Sequence, residues 1–219
     1  MLTVYGVTRS RASRIVWLCH ELGLPFKQVP VIQAYRLSDA GAADAPLNTR
    51  SASFLKLSPA GAIPVIQDGD LVLSESLACT LHLARKYGQP FGPADAVEDA
   101  LLLQWSFYAA TAIEPDALTI LFNHQPGQAQ SGAAQAKVSA AAERLVRPLQ
   151  VLEEHLARHG HLVGGRFTVA DLNMAEVLRY AQGYGALTEQ FPAVLSWLGD
   201  CQARPGFQKM WHERLAEPE

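Results

Sequence analysis

The chain of 219 residues sets 18 Lys and Arg against 21 Asp and Glu, a net charge of -3, and 49% of it is hydrophobic. Without a dense basic run it has no surface built to track a phosphate backbone, so nucleic acid is not an expected partner. Its apolar content suffices for one large core or two modest ones, yet no run approaches the roughly 20 apolar residues that span a bilayer. The opening Met1-Leu2-Thr3-Val4-Tyr5-Gly6 has no basic region leading into a continuous apolar stretch, and a cytoplasmic protein without a membrane segment is expected. Cys19, Cys79 and Cys201 are odd in number, far apart and set in apolar helical patterns, which suits reduced, buried thiols. No Cys-x-x-Cys pair suggests redox chemistry or zinc, and no metal is expected.

Leu2, Val4 and Tyr5-Gly6 form a short predicted strand. From Ser10 to Gly23 the spacing turns helical, with Ile15, Leu18, Cys19 and Leu22 on one face and Gly23 as the stop. A second strand is predicted over Phe26 to Ile32, and strand, helix and strand together require a parallel pair with a right-handed crossover. Gln33 to Leu47 reads as a loop, and Ser51 to Leu57 as a short helix. Gly61 to Leu73 places two short apolar strands around Asp68-Gly69, a hairpin signal that adds an antiparallel pair to the sheet. Ser74-Glu75-Ser76 then opens a helix through Leu77, Leu81 and Ala84 to Tyr87, stopped by Gly88.

Gly, Pro and polar residues from Gly88 to Ala96 mark a linker, and beyond it only helical patterns follow. They run over Val97 to Phe122 with a kink at Pro115, Ala133 to Arg158, Val169 to Tyr184, Val194 to Ala203, and a short last piece near Phe207 to Trp211. Two domains are therefore expected, an α/β domain over 1-88 with a mixed four-stranded sheet and an all-α domain over 97-219.

Two features bear chemistry. Pro64, at the entry of a strand, cannot donate to the ladder. It is either an edge-strand proline, or a cis-proline that turns the backbone of Ile63 outward to pair with a bound peptide. Ser74-Glu75-Ser76 is either a plain N-cap or a site whose helix N-H groups and hydroxyl hold a carboxylate while Glu75 holds an ammonium.

These residues, in this order, resemble the cytosolic glutathione transferase family over nearly the whole chain. The resemblance rests on Leu2-Thr3-Val4-Tyr5-Gly6 with Ser10, on Phe54 to Val65, on Leu73 to Ala78, and on Phe167-Thr168-Val169-Ala170-Asp171-Leu172 and Trp197-Leu198 ahead of Arg204-Pro205-Gly206-Phe207. It implies a thioredoxin-like first domain that binds glutathione as co-substrate and a helical second domain that takes a small hydrophobic electrophile. It also implies a homodimer in which the first domain of one subunit meets the helical domain of the other. By the same resemblance Ile63 and cis-Pro64 hold the cysteinyl backbone of glutathione, and Glu75 and Ser76 its γ-glutamyl end. Ser10 stands at the family's catalytic place after the first strand, which looks like a serine-type, bacterial-like enzyme; Ser13 and Tyr5 are the alternatives. One departure is Ala62, where the family often has Lys or Gln; Lys56, Arg50 or Arg36 are candidates to replace it.

A hydroxyl suffices for such chemistry because the nucleophile is the ligand's own thiolate. At a reference pKa of about 8.5 only ~3% of a thiol is ionised at pH 7, and one hydrogen bond to the anion raises that share. The helix N-terminus and Arg11 or Arg14 are candidates to add to the effect, unless those arginines are solvated. Trp105, Phe107, Tyr108 and Thr111 share a helix, where Trp105 and Tyr108 either line the electrophile pocket or belong to the core. Thr168 to Asp171 reads as a structural capping box with Phe167 and Leu172 as its staple. His155, His159 and His161 have a metal-like spacing, but a solvated helix end is expected for them. Peroxide reduction or isomerisation at the same site, or a non-enzymatic module that lost it, are the competing functions.

Overall fold

In the computed structural model, which describes residues 1–124 and 131–217, the expected helical domain reaches two residues past the described chain. The alternating Leu2-Thr3-Val4-Tyr5 forms β1 (Leu2–Tyr5), at the centre of a four-stranded sheet with order β2-β1-β3-β4. Its parallel neighbour is β2 (Phe26–Val29), shorter than expected because Pro30 has no N-H for the ladder. After a one-turn α2 (Ala52–Leu55), the chain adds β3 (Val65–Asp68), which pairs antiparallel with β1 on its other side, and β4 (Leu71–Ser74), antiparallel to β3. The hairpin loop is Gly69 and Asp70, one residue later than the sequence suggests, and the positive φ of 63° falls on Gly69. Asp68 is thereby left as a strand residue. Its carboxylate, 7% exposed, accepts from His82 Nε2, Lys86 Nζ and Tyr87 OH at 2.8 Å each, all from α3 (Ser76–Tyr87).

Helix α1 (Ala12–Leu22) buries eight consecutive residues, Ala12 to Cys19, so it is covered all round rather than along one stripe. The additional cover is α10 (Pro205–Ala216), twelve residues long where a short piece was expected. The rings of Trp17 and Phe207 stand edge to face with centroids 5.0 Å apart, and Trp17 Nε1 donates to Glu21, whose carboxylate also takes a two-pronged bond from Arg204 at 3.1 and 2.7 Å. The chain accordingly divides into one unit of Met1–Gly88 with Arg204–Glu219 and a second of Gln89–Ala203. The C-terminal helix belongs with the sheet, not with the helical domain in which the sequence places it.

In the second unit α4 (Ala96–Tyr108) passes through a π-helical segment (Ala109–Ile113) into α5 (Glu114–Asn123). The expected kink is this wide turn, placed just ahead of Pro115, whose missing N-H ends regular α pairing there. Helix α6 (Gly132–His159) packs its Leu145, Leu149, Leu152 and Leu156 inward. All ten residues of α7 (Val169–Leu178) are buried, among them Glu176, which is bound through both carboxylate oxygens by Arg179 at 2.8 and 3.1 Å. The capping box at Thr168 and Asp171 is formed, and Asp171 also accepts from Leu162 N and Trp197 Nε1, so it joins α7 to α9 (Pro192–Ala203). A short α8 (Gly185–Thr188) lies between them.

Cys19, Cys79 and Cys201 are free and buried. Burial pushes the Cys19 and Cys79 thiols up to about 12. Among the described residues no helix is long and apolar enough to cross a membrane, and no three His, Cys, Asp or Glu side chains are grouped to hold a metal ion.

Candidate functional site

Three segments of the first unit converge. The loop from Gly6 to Ser10 leaves the end of β1, and Gly6, at φ 139°, lies so close to Ile63 that a Cβ there would meet the Ile63 Cβ at 3.4 Å. Arg14, one turn along α1 from Ser10, donates through Nη1 to Ser76 Oγ at 2.9 Å at the first turn of α3. The segments that carry Ser10, Ile63 and Ser76 are thus tied by one glycine contact, Gly6 to Ile63, and one buried hydrogen bond, Arg14 to Ser76.

Within this cluster the Ile63-Pro64 bond is cis, and Ile63 lies outside the ladder, whose first paired residue on that strand is Val65. The Ser58 hydroxyl holds the preceding residue from both sides, donating to Ala62 O at 2.9 Å and accepting from Ala62 N at 3.3 Å. Glu75 is exposed with φ 66° and ψ 107°, an uncommon conformation for a side-chain-bearing residue, while Ser76 beside it is buried. Because the Ser76 oxygen accepts from Arg14, its own proton is left to donate, next to the N-H groups of the first turn of α3. A buried hydroxyl donor, a helix N-terminus and an exposed carboxylate on adjacent residues suit an α-amino acid group, with carboxylate on the helix and ammonium on Glu75.

Ser10 is half-buried. Its hydroxyl donates to Val7 O at 2.6 Å and accepts from the N-H of Ala12 at 3.0 Å. The two alternatives are placed differently. Ser13 is fully buried, and the Tyr5 hydroxyl, facing along the sheet, donates to Gln67 Oε1 at 3.3 Å. Arg11 is exposed, whereas Arg14 is 1% exposed: the solvated reading fails for it because α1 is covered on every side. Arg36, Arg50 and Lys56 are all exposed, as is Ala62.

The residues considered for the electrophile lie in the second unit. Trp105 is buried, with its ring against Tyr108 and His155, and the Tyr108 hydroxyl donates to Pro148 O at 3.3 Å. Phe107, between them in sequence, is 64% exposed. His155 differs from the expected solvated helix end. Its Nε2 lies 3.2 and 3.0 Å from the carbonyls of His161 and Leu162, and since carbonyls only accept, that nitrogen carries the proton.

Sequence reasoning missed the side chains that hold the Gly6–Ser10 loop. Gln28 Nε2 donates to Gly6 O and Thr8 Oγ1, and Glu217, 209 residues along from Thr8, accepts from the loop's backbone. No local pattern signals contacts so distant along the chain.

A four-stranded mixed sheet domain followed along the chain by a helical domain is the architecture of thioredoxin-like, thiol-binding transferases. The chain matches the description "Glutathione S-transferase, N-terminal domain" over residues 4–91 and "Glutathione S-transferase, C-terminal domain" over residues 109–205. It is 35% identical over 217 residues to glutathione S-transferase 3 of Zea mays, covering 95% of this chain and 92% of that protein. It is 30% identical over 218 residues to a glutathione S-transferase of Hyoscyamus muticus, covering 95% and 96%. A solved glutathione S-transferase-I with bound lactoylglutathione superposes with a TM-score of 0.80 at 26% identity, covering 97% of this chain and 99% of that one. The chain belongs to the glutathione S-transferase family. Both relatives are plant proteins and lend no support to the expected bacterial character.

Proposed function

We propose that this protein is a serine-type glutathione transferase, in which Ser10 stabilises the thiolate of glutathione for attack on a small apolar electrophile. The observation that carries the reading is the state of the three candidate hydroxyls. Ser10 is half-buried at the mouth of α1, on the loop whose Gly6 meets Ile63 and one turn before the Arg14 that binds Ser76, while Ser13 is fully buried and the hydroxyl of the equally half-buried Tyr5 is bound to Gln67 in the sheet.

Each residue then has a part. The Ile63 backbone beside Pro64 pairs with the cysteinyl portion of the tripeptide, and Glu75, Ser76 and the N-terminus of α3 take its γ-glutamyl end. Arg14 positions the Ser76 hydroxyl and brings a buried positive charge to this anionic end. Ser10 turns its hydroxyl proton from Val7 O to the sulfur, so the thiol proton is released to solvent at a lower pH. The sulfur lone pair then forms the new C-S bond as the leaving group departs with its electron pair. In the second unit, the interior packing of Trp105 and Tyr108 favours a supporting role behind the electrophile pocket. A homodimer accords with apolar side chains left exposed on each unit, Leu71 and Val72 on β4 and Val97 and Leu101 one turn apart on α4.

Two measurements test the reading. Glutathione at 100 times its dissociation constant should stabilise the fold by about 2.7 kcal/mol, and glutathione should be consumed with a chlorodinitrobenzene. No thermal stabilisation would leave a non-enzymatic module, and stabilisation with turnover only on peroxides would point to peroxide reduction.

A further inference from the structure

The loop that carries Ser10 is fastened by the residue that follows α10. The carboxylate of Glu217 spans two consecutive backbone N-H groups, Oε1 accepting from Thr8 at 2.7 Å and Oε2 from Arg9 at 2.8 Å. Arg214, on the last turn of α10, donates through Nη1 to Thr8 O, and Arg9 Nε donates back to Arg214 O at 3.1 Å. From β2, Gln28 donates to Gly6 O and Thr8 Oγ1, and Gly6 N donates to Val29 O. The backbone between Gly6 and Ser10 therefore takes its hydrogen bonds mainly from side chains outside it, and Glu217 supplies the two that immediately precede Ser10.

We infer that Glu217 is a positioning residue for the transferase reaction: it fixes the backbone at Thr8 and Arg9 so that the Ser10 hydroxyl meets the thiolate in one orientation. The inference rests on the assignment of Ser10 above. A carboxylate across two adjacent N-H groups restrains both peptide planes at once, and charge-assisted bonds are stronger than neutral ones. With the carboxylate gone, those planes turn more freely and the hydroxyl spends less time aimed at the sulfur. Turnover falls and the pKa of the bound thiol rises. Affinity for glutathione stays, because Ile63, Glu75 and Ser76 belong to other segments.

The test compares wild type, Glu217→Gln, Ser10→Ala and the double variant, reading kcat and KM for glutathione against pH together with an ultraviolet titration of the bound thiol. Glutamine keeps the size of the side chain but sets an NH2 group against one of the two backbone donors. Expected is a kcat two- to five-fold lower for Glu217→Gln below the pKa of the bound thiol, bounded by the roughly five-fold loss for Ser10→Ala. KM should hold, the thiol pKa should rise, and no further loss should appear in the Ser10→Ala background. Arg214→Lys, which disturbs the bond to Thr8 O, should show the same signature, and it decides the matter if Glu217→Gln does not fold. A Glu217→Gln defect that persists undiminished in the Ser10→Ala background, or an unchanged kcat and thiol pKa, overturns the inference while leaving Ser10 in place. A silent Ser10→Ala overturns both.

Discussion

Replacing Ser10 by Ala removes a hydroxyl that is already engaged, and this sets the size of the effect. In the protein its proton goes to Val7 O at 2.6 Å, a neutral bond with a net contribution of about 1 kcal/mol. A bond to a charged acceptor contributes roughly 1.5–3 kcal/mol, so moving the proton from Val7 O to the sulfur anion gains only about 1 kcal/mol over leaving it in place. At 1.36 kcal/mol per pKa unit that gain lowers the thiol pKa by ~0.7 and raises turnover about five-fold where the thiol is mostly protonated. The same oxygen accepts from Ala12 N at 3.0 Å, so Ser10→Ala should also destabilise the fold by about 1 kcal/mol, or ~2–4 °C in Tm. Turnover from pH 5.5 to 9, with absorbance of the bound thiolate followed in parallel, should show the activity gap closing as the thiol ionises unaided. Glutathione affinity should hardly change. Full activity with an unshifted thiol pKa would refute the reasoning and direct attention to Tyr5→Phe.

Three further outcomes follow from the packing. The Asp68 carboxyl, which burial alone would raise, is held down to about 2 by hydrogen bonds from Lys86, His82 and Tyr87. Because its folded pKa lies below the unfolded value near 3.8, its stabilisation is complete above about pH 4 and disappears as pH falls toward 2. Asp68→Asn should thus lower stability by about 1–2 kcal/mol near neutrality, allowing for screening around exposed Lys86, and denaturant midpoints should converge with wild type near pH 2; a gap independent of pH would contradict this. Glu176→Ala, which takes the carboxylate from beside the buried Arg179 guanidinium, should destabilise by ~3–5 kcal/mol, whereas replacing both residues by Met should do far less; equal losses in calorimetry would rule the pair out as the cause. Glu75→Gly relieves a positive φ of 66° and should raise Tm by ~2–4 °C while weakening glutathione binding about ten-fold or more; a lower Tm would show that the backbone at 75 is not strained.

The sheet was legible because its signals are local. Alternation at Leu2 to Tyr5, the turn after Asp68 and the proline at 64 each act within a few residues, and they placed Ser10, Ile63, Glu75 and Ser76 on segments that the fold brings together. What stayed hidden depends on contacts between distant segments. The apolar run Ile15-Val16-Trp17-Leu18-Cys19 shows that α1 needs cover on several faces, but not that α10 supplies it. Arg14 reads as a surface cation until that cover is in place, and Trp105 differs from Phe107 only through which face of α4 turns inward. Glu217 lies too far along the chain from Thr8 for any periodicity to join them.

The buried thiols give the molecule chemical immunity. A reagent that seeks out the sulfur of glutathione will also react with protein sulfur, and it reacts with the anion. Burial pushes the Cys19 and Cys79 thiols up to about 12, so at pH 7 both stand in the protonated, unreactive form far more fully than an ordinary exposed thiol does. Cys201, on α9, is likewise buried. Prolonged turnover on reactive electrophiles should therefore leave the mass of the intact chain unchanged, so that alkylation falls on the ligand and not on the catalyst.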